Sequence, residues 1–162
     1  MSPFLFVLTQ FAILSYALLG GVFLAFSDFI MRSLSLTRGA GGVEAMQIIN
    51  REVFRWMFMT LFLGTALVSL LIAGFSTTGL EGQARLLISS AALVYLAGCF
   101  GVTVLFNVPM NEALGRMQPE SASAHAYWTE IYIPRWTFWN SVRTVACIFS
   151  ATLALFGLLS VA

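Results

Sequence analysis

The sequence contains no lysine, only one histidine and only two cysteines among its 162 residues. A single histidine, His125, cannot supply a bis-histidine haem or a three-ligand zinc site within one chain, so we expect no metal or haem cofactor. Cys99 and Cys147 both fall inside apolar runs and are expected to be small packing residues rather than a disulfide or a metal pair. The net charge is only +1 and the aromatic residues lie in apolar runs, which excludes a nucleic-acid-binding surface.

Charge of either sign is scarce, and long hydrophobic runs take its place. Charged residues make up 9% of the chain, against about 25% in soluble domains, while 59% of the residues are hydrophobic and the mean hydropathy is +0.90. Each of four apolar runs could cross the hydrocarbon layer of about 30 Å. The first has no Lys/Arg flank and exceeds the ~7–15 residues of a signal-peptide core, so we expect a retained span. The predicted spans are residues 4–31, 56–75, 86–106 and 136–161.

The arginines predict how the chain is oriented in the bilayer. Seven of the eight lie in the two long connections, 32–55 and 107–135, or at the span ends beside them, and only Arg85 lies on the other side. The positive-inside rule then puts both long connections in the cytoplasm and both termini outside. We therefore expect a multi-pass protein of the cell (inner) membrane whose main partner is the lipid bilayer; whether copies form a homo-oligomer stays open.

The chain also repeats itself with a constant offset of 80 residues. Ala17, Gly21 and Phe26 return as Ala97, Gly101 and Phe106, and Arg55-Trp56 returns as Arg135-Trp136. The sequence thus predicts one all-α membrane domain, 1–162, formed as a four-helix bundle from two tandem parallel helix-pair repeats, 4–75 and 84–161. The Ala-x-x-x-Gly pairs of the first and third spans should let those spans approach closely. The segment 43–55 contains no Gly or Pro and should continue directly into the second span.

Polar side chains follow one face of the last span. Trp136, Trp139, Asn140, Arg143 and Cys147 recur at steps of three and four, so a helix places them together. Arg143 lies roughly 10 Å inside this span at the helical rise. A guanidinium at that depth requires a partner, a wet cavity or a route to the headgroups. A structural role and a functional role both remain open.

A carboxylate near the end of the first span could be that partner. Asp28 has Val108 as its counterpart in the second repeat, and Arg143 has Leu63 in the first. Each repeat therefore carries one charge of opposite sign in its apolar region, and we predict that Asp28 and Arg143 meet inside the bundle. An isolated Asp28 would instead suit a general base or proton carrier.

The third span closes with the sequence Asn107-Val-Pro109-Met-Asn111. Proline removes a backbone donor, so the helix should kink or stop here, near the two amides. The amides suit either helix-end capping or ligand binding. Trp136 and Trp139 suit either interfacial anchoring or a flat pocket in which indoles stack on an aromatic ligand.

Four motifs together resemble the anthrone oxygenase-like family of small four-span membrane proteins, over nearly the whole chain. They are G-G-V-F-L-A-F-S in the first span, Met-Gln-x-Ile-Asn at 46–50, Asn-Val-Pro-Met-Asn-Glu-Ala-Leu at 107–114, and Trp-x-x-Trp-Asn-x-Val-Arg-Thr at 136–144. Characterised members of that family resemble cofactor-free oxygenases that convert anthrones to anthraquinones. The resemblance points to Asn111, Asn140 and Arg143.

Two functions are compatible with these residues. In the first, a flat phenolic substrate enters from the lipid, Asp28 or a water it holds removes a proton, and Arg143 with Asn140 stabilises the oxyanion that then reacts with dioxygen. Asn107, Asn111, Trp136 and Trp139 would bind that substrate. In the second, the polar cluster only locks a non-catalytic membrane subunit together, or binds a lipid or a quinone.

Overall fold

A computed structural model describes residues 1–161; these residues form helices and turns without any strand. Ala162, the last residue of the predicted domain, lies outside the described residues. Four helices are long and apolar enough to cross a membrane: α1, Pro3–Ser35; α3, Met57–Gly79; α4, Gly82–Gly115; and α5, Ala122–Leu159. A shorter helix, α2, spans Gly41–Glu52. The predicted all-α, multi-pass membrane fold is confirmed.

The helix ends have local causes. Ser2 and Ser121 cap α1 and α5, each accepting a hydrogen bond from the backbone N–H three residues later, at 3.3 and 3.1 Å. Gly39, in the turn before α2, and Gly82, the first residue of α4, adopt φ values of +58° and +56°, a conformation that residues with a Cβ rarely adopt. The short turn before α4 makes α3 and α4 antiparallel neighbours.

The four spans form a ring in which α5 packs against α1 and α4, and α3 packs against the same two helices. Glycines set the closest approach: a Cβ on Gly20 would lie 3.2 Å from the Cβ of Cys147, and one on Gly98 would lie 2.7 Å from the Cβ of Ala146. The predicted stripe of small residues does not pack α1 against α4, because α1 and α4 lie opposite each other. Gly21, on that stripe, has nothing within 4 Å of its Cβ position.

Packing is of two kinds along the bundle. The half away from the long connections is a continuous cluster of buried apolar side chains, including Tyr16, Ile72, Ile88 and Tyr95; we call it the dry half. The half near the long connections has a second cluster, formed where α2 and the start of α5 cover the ends of α1 and α4; we call it the connection half. Cys99 and Cys147 are free and buried in the first cluster, as predicted.

Helix α2 does not continue into α3, contrary to the sequence-based expectation. It ends at Glu52, residues 53–56 turn, and α3 begins at Met57. The reason is tertiary: the Gln47 amide donates hydrogen bonds to the backbone carbonyls of Leu114 (2.8 Å) and Met117 (3.0 Å). Those bonds satisfy one carbonyl in the last turn of α4 and one just beyond it, and they hold α2 against the end of α4, so α2 cannot also extend the axis of α3.

Wide π-helical turns interrupt α1, α4 and α5 in or beside the connection half, at Phe26–Ile30, Leu96–Gly101, Thr103–Asn107 and Tyr127–Tyr132. Two of them end two residues before prolines, Pro109 and Pro134. A proline cannot donate to the carbonyl four residues earlier and its ring crowds that carbonyl, so the preceding turn widens. Helix α4 therefore continues through Pro109 to Gly115 rather than stopping there.

Helix ends are consistent with the predicted repeat. Ser35, at the end of α1, and Gly115, at the end of α4, are 80 residues apart, as are Gly79 and Leu159 at the ends of α3 and α5. The turn at 53–56 breaks the correspondence, because α5 continues through the equivalent residues 133–136. Whether the two halves superpose as parallel repeats stays a prediction.

Candidate functional site

A cavity of about 440 Å³ opens in the connection half, between α1, α3, α4 and α5 and beneath the turn at 53–56. Its wall is mostly aromatic and aliphatic, with a few polar groups, a composition typical of small-molecule sites. Two charged residues line it, Arg143 and Glu52. The aromatic side chains in the wall are Phe23, Phe26, Phe54, Phe58, Phe62, Phe100 and Trp136.

Arg143 lies in the cavity wall and is only 5% exposed. Its Nη2 donates to Asn140 Oδ1 at 2.6 Å and its Nη1 donates to Thr103 Oγ1 at 3.2 Å, while Nε has no partner. Both partners are neutral. Neither ion pair found in residues 1–161 includes Arg143, so this buried cation lacks a carboxylate partner there.

Aromatic rings partly compensate the guanidinium charge. The Cζ of Arg143 lies 4.3 Å from the centroid of the Phe23 ring and 5.3 Å from that of Trp136. Each ring face attracts a cation, more strongly in a desolvated site. The charge is thus held in place by rings and neutral oxygens, which leaves it able to attract an anionic oxygen in the cavity.

Asn140 positions the Arg143 guanidinium from the side away from the cavity. Its Nδ2 donates to the Phe23 carbonyl and to Ser27 Oγ, both at 2.6 Å, and Ser141 also donates to Ser27 Oγ at 3.0 Å. Asn140 is fully buried and does not line the cavity. The α1–α5 contact therefore fixes the orientation of the amide whose oxygen holds the guanidinium.

A second polar network borders the cavity around Asn111. Its Oδ1 accepts hydrogen bonds from the Tyr132 hydroxyl at 2.7 Å and from the Trp136 indole N–H at 2.8 Å. The Tyr132 oxygen in turn accepts from Asn50 Nδ2 at 3.4 Å. These bonds tie together α2, α4 and α5.

A family model for anthrone oxygenases matches residues 48–153. The chain belongs to the anthrone oxygenase family. The matched segment includes Asn111, Asn140 and Arg143, so it covers both polar networks on α4 and α5. No curated protein and no solved structure matches the chain.

Among the residues predicted for the site, those on α4 and α5 other than Trp139 lie in or next to the cavity wall. Arg143, Asn111 and Trp136 line the cavity. Asn107 is buried behind it: its Nδ2 donates to the Trp136 carbonyl at 3.3 Å, and its Oδ1 has no partner. Trp136 is 4% exposed, so it is a core residue rather than an interfacial anchor. Trp139 lies outside the cavity, stacked on Phe106 with the ring centroids 3.7 Å apart.

Asp28 does not face the bundle interior, contrary to the prediction. It is exposed, does not line the cavity and takes part in neither ion pair of the described residues. The cause is the wide turn Phe26–Ile30, in which Asp28 lies. An extra residue per turn rotates the side chains relative to a regular helix, and Ser27 rather than Asp28 points to Asn140.

Three residues that were not predicted from the sequence contribute to the Arg143 site: Thr103, Ser27 and Phe23. Thr103 carried a usable signal, because it is a hydroxyl residue four positions before Asn107, and hence on the same helix face. Phe23 and Ser27 belong to the G-G-V-F-L-A-F-S motif of the first span, which indicated the family but not a contact with the Arg143 site.

Proposed function

We propose that this member of the anthrone oxygenase family binds a flat, hydrophobic phenolic or anthrone-like molecule in the cavity and oxidises it with dioxygen. One observation carries the proposal. Arg143 is a buried cation without a carboxylate partner among the described residues, and it forms part of the wall of an otherwise largely aromatic cavity. Such a site favours a ligand with an aromatic body and an oxygen that becomes negatively charged.

The proposed reaction follows from that charge. When an anthrone loses a proton from its methylene carbon, the negative charge moves to the carbonyl oxygen, and Arg143 would stabilise this oxyanion. The electron-rich anion then reduces dioxygen. One oxygen atom becomes the new carbonyl of the anthraquinone, and the other leaves as water with the two hydrogens lost from the methylene carbon.

Glu52 is better placed than Asp28 to accept the proton. Glu52 lines the cavity, whereas Asp28 is exposed outside it. The Glu52 side chain is 53% exposed and forms an ion pair with Arg55 at 3.0 Å, so a proton taken from the ligand could pass on to water.

The alternative is a non-catalytic membrane protein that binds a quinone or a lipid in the same cavity. The position of Glu52 favours it, because the Glu52 side chain is half-exposed and paired with Arg55 rather than enclosed beside Arg143, where the ligand oxygen would bind. An anionic or carbonyl oxygen would still bind Arg143.

Oxygen uptake separates the two functions. We expect the purified protein in lipid nanodiscs to consume dioxygen when anthrone is added and to form anthraquinone above the spontaneous rate. Arg143→Gln should abolish most of this excess. Arg135→Gln, an exposed arginine on the same helix, is the matched control and should retain it. Binding of anthraquinone without anthrone-dependent oxygen uptake would support the non-catalytic alternative.

We also propose that the protein lies in the cell membrane with both long connections in the cytoplasm and both termini outside. The asymmetry of the arginines supports this orientation. Cys99 and Cys147 are buried, so introduced cysteines can be labelled selectively. Ser121→Cys should be protected from an impermeant thiol reagent in intact cells, and Gln83→Cys should react; the reverse pattern would refute the orientation.

A further inference from the structure

The side-chain amide of Asn111 has its two ends in different environments. Its oxygen accepts two hydrogen bonds, from Tyr132 at 2.7 Å and Trp136 at 2.8 Å. An indole N–H can only donate, so the amide atom that faces it must be the oxygen. The nitrogen therefore points away from both rings, and it makes no hydrogen bond with residues 1–161.

This orientation is maintained from two helices. Trp136 is 4% exposed and Tyr132 is fully buried, and their rings stack with centroids 6.1 Å apart. The Tyr132 hydroxyl accepts from Asn50 on α2, which leaves its proton for Asn111. Rotation of the amide would place its N–H groups against two donors, so the surroundings strongly favour one orientation.

Trp136 also connects Asn111 to Arg143. Its indole N–H bonds to Asn111, and its ring lies 5.3 Å from the Arg143 Cζ. Asn111, Trp136 and Arg143 all line the cavity. Two N–H donors therefore flank one indole in the wall, whereas the acidic group, Glu52, lies at the exposed end of the cavity.

We propose that Asn111 is a second ligand-binding donor of the cavity, and that Tyr132 and Trp136 are positioning residues that direct its N–H groups to the ligand. The site is then specific for an aromatic molecule that presents acceptor or anionic oxygen to the Arg143 side. This inference deepens the proposed function and rests on it for the ligand class. It concerns recognition, so it can be tested without turnover.

Two matched ring systems test it: anthraquinone, which has two carbonyl oxygens, and anthracene, which has the same three rings and none. Affinities are measured for the protein in nanodiscs. The wild type should prefer anthraquinone. Asn111→Asp keeps an oxygen for Tyr132 and Trp136 but replaces the N–H donors by a negative oxygen, so anthraquinone affinity should fall about tenfold or more, since a lost donor and added repulsion exceed one ordinary hydrogen bond.

Anthracene affinity should stay within about twofold in that variant, because anthracene makes no hydrogen bond with the amide. Gln118→Glu is the control, since it makes the same amide-to-acid change on an exposed side chain of a nearby connection and should alter neither affinity. Tyr132→Phe should lower the preference for anthraquinone about threefold by freeing the amide. A purely structural role of Tyr132 would change both affinities equally.

The outcomes separate this inference from the proposed function. If the wild type binds the two probes equally, or if Asn111→Asp and Asn111→Leu retain the preference, Asn111 is not a ligand donor, whatever the oxygenase assay shows. If the preference follows Asn111 as expected but anthrone elicits no oxygen uptake, the inference stands and the catalytic proposal fails. If Asn111→Asp does not fold, the ratio of anthraquinone to anthracene affinity is measured instead in Tyr132→Phe and Trp136→Phe, and an unchanged ratio in both would contradict the inference.

Discussion

The two halves of this bundle use the same four helices for different purposes. In the dry half, small residues allow close contact: a Cβ on Gly157 would lie 2.6 Å from the Cγ1 of Ile88. In the connection half the helices separate around a cavity of about 440 Å³. The wide turns, including those that precede Pro109 and Pro134, all lie in or beside that second half. Prolines and polar side chains therefore keep the four spans from packing closely around the cavity, and α2 forms part of the cavity wall.

The difference between the halves is also one of unpaired charge. In the dry half the Tyr16 hydroxyl and Ser69 Oγ pair across α1 and α3 at 2.7 Å, and the one buried polar side-chain atom left without a partner among the described residues there, Ser150 Oγ, is neutral. In the connection half, Arg143 Nε and Asn107 Oδ1 are buried without partners. A buried unpaired polar group is costly, so each of these atoms requires a partner such as an ordered water or a ligand, and the cost is highest for the charged Arg143.

The largest expected loss of stability comes from a substitution in the close-packed dry half. Gly157→Ala places a methyl group 2.6 Å from the Cγ1 of Ile88 and 3.2 Å from its backbone nitrogen, so α4 and α5 must separate. We expect a loss of about 1–3 kcal/mol in the free energy of unfolding. Denaturant titration in detergent micelles measures it.

Gly21→Ala is the matched control for that change. Nothing lies within 4 Å of its Cβ position, and alanine favours helix by about 1 kcal/mol over glycine. The variant should be as stable as the wild type or more so. Equal destabilisation by both substitutions would mean that the close contact at Gly157 does not hold the dry half together.

A smaller effect sharpens the contrast between the halves. Tyr16→Phe removes one hydrogen bond in the dry half, and Thr103→Val removes the acceptor of Arg143 Nη1 in the connection half. Each should cost about 0.5–1.5 kcal/mol of stability. Only Thr103→Val should also weaken anthraquinone binding, because Thr103 contacts Arg143 and Tyr16 does not. Unfolding and binding titrations on the same samples measure both effects for each variant. Weakened binding in Tyr16→Phe would show that the halves are coupled.

How much of this could be predicted depends on the helix period. Trp136, Asn140, Arg143 and Cys147 are all buried on α5, as the steps of three and four predict for a regular helical stretch. Trp139, predicted on the same face, lies outside the cavity. The orientation of Asp28 was not predicted correctly, because it lies in a wide turn that a fixed period of 3.6 cannot represent. Nor could the local sequence indicate that Gln47 would hold α2 on α4, since that contact joins residues 67 positions apart.

The smallest expected change in stability concerns Asp28, which the sequence predicted to pair with Arg143. Asp28 is exposed and forms no ion pair with Arg143, so removing its charge should change stability by less than about 0.5 kcal/mol. Arg143→Leu, by contrast, leaves the Asn140 oxygen without its donor and should destabilise the protein. In a double-mutant cycle of Asp28→Asn and Arg143→Leu, we expect the two changes to add within about 0.3–0.5 kcal/mol, as they do for residues that share no contact. Recovery of stability in the double variant would demonstrate an ion pair and would require α1 to rotate its wide turn inward. If the two changes add, Asp28 does not neutralise Arg143, and an anionic oxygen of the ligand is the counter-charge that the proposed function requires.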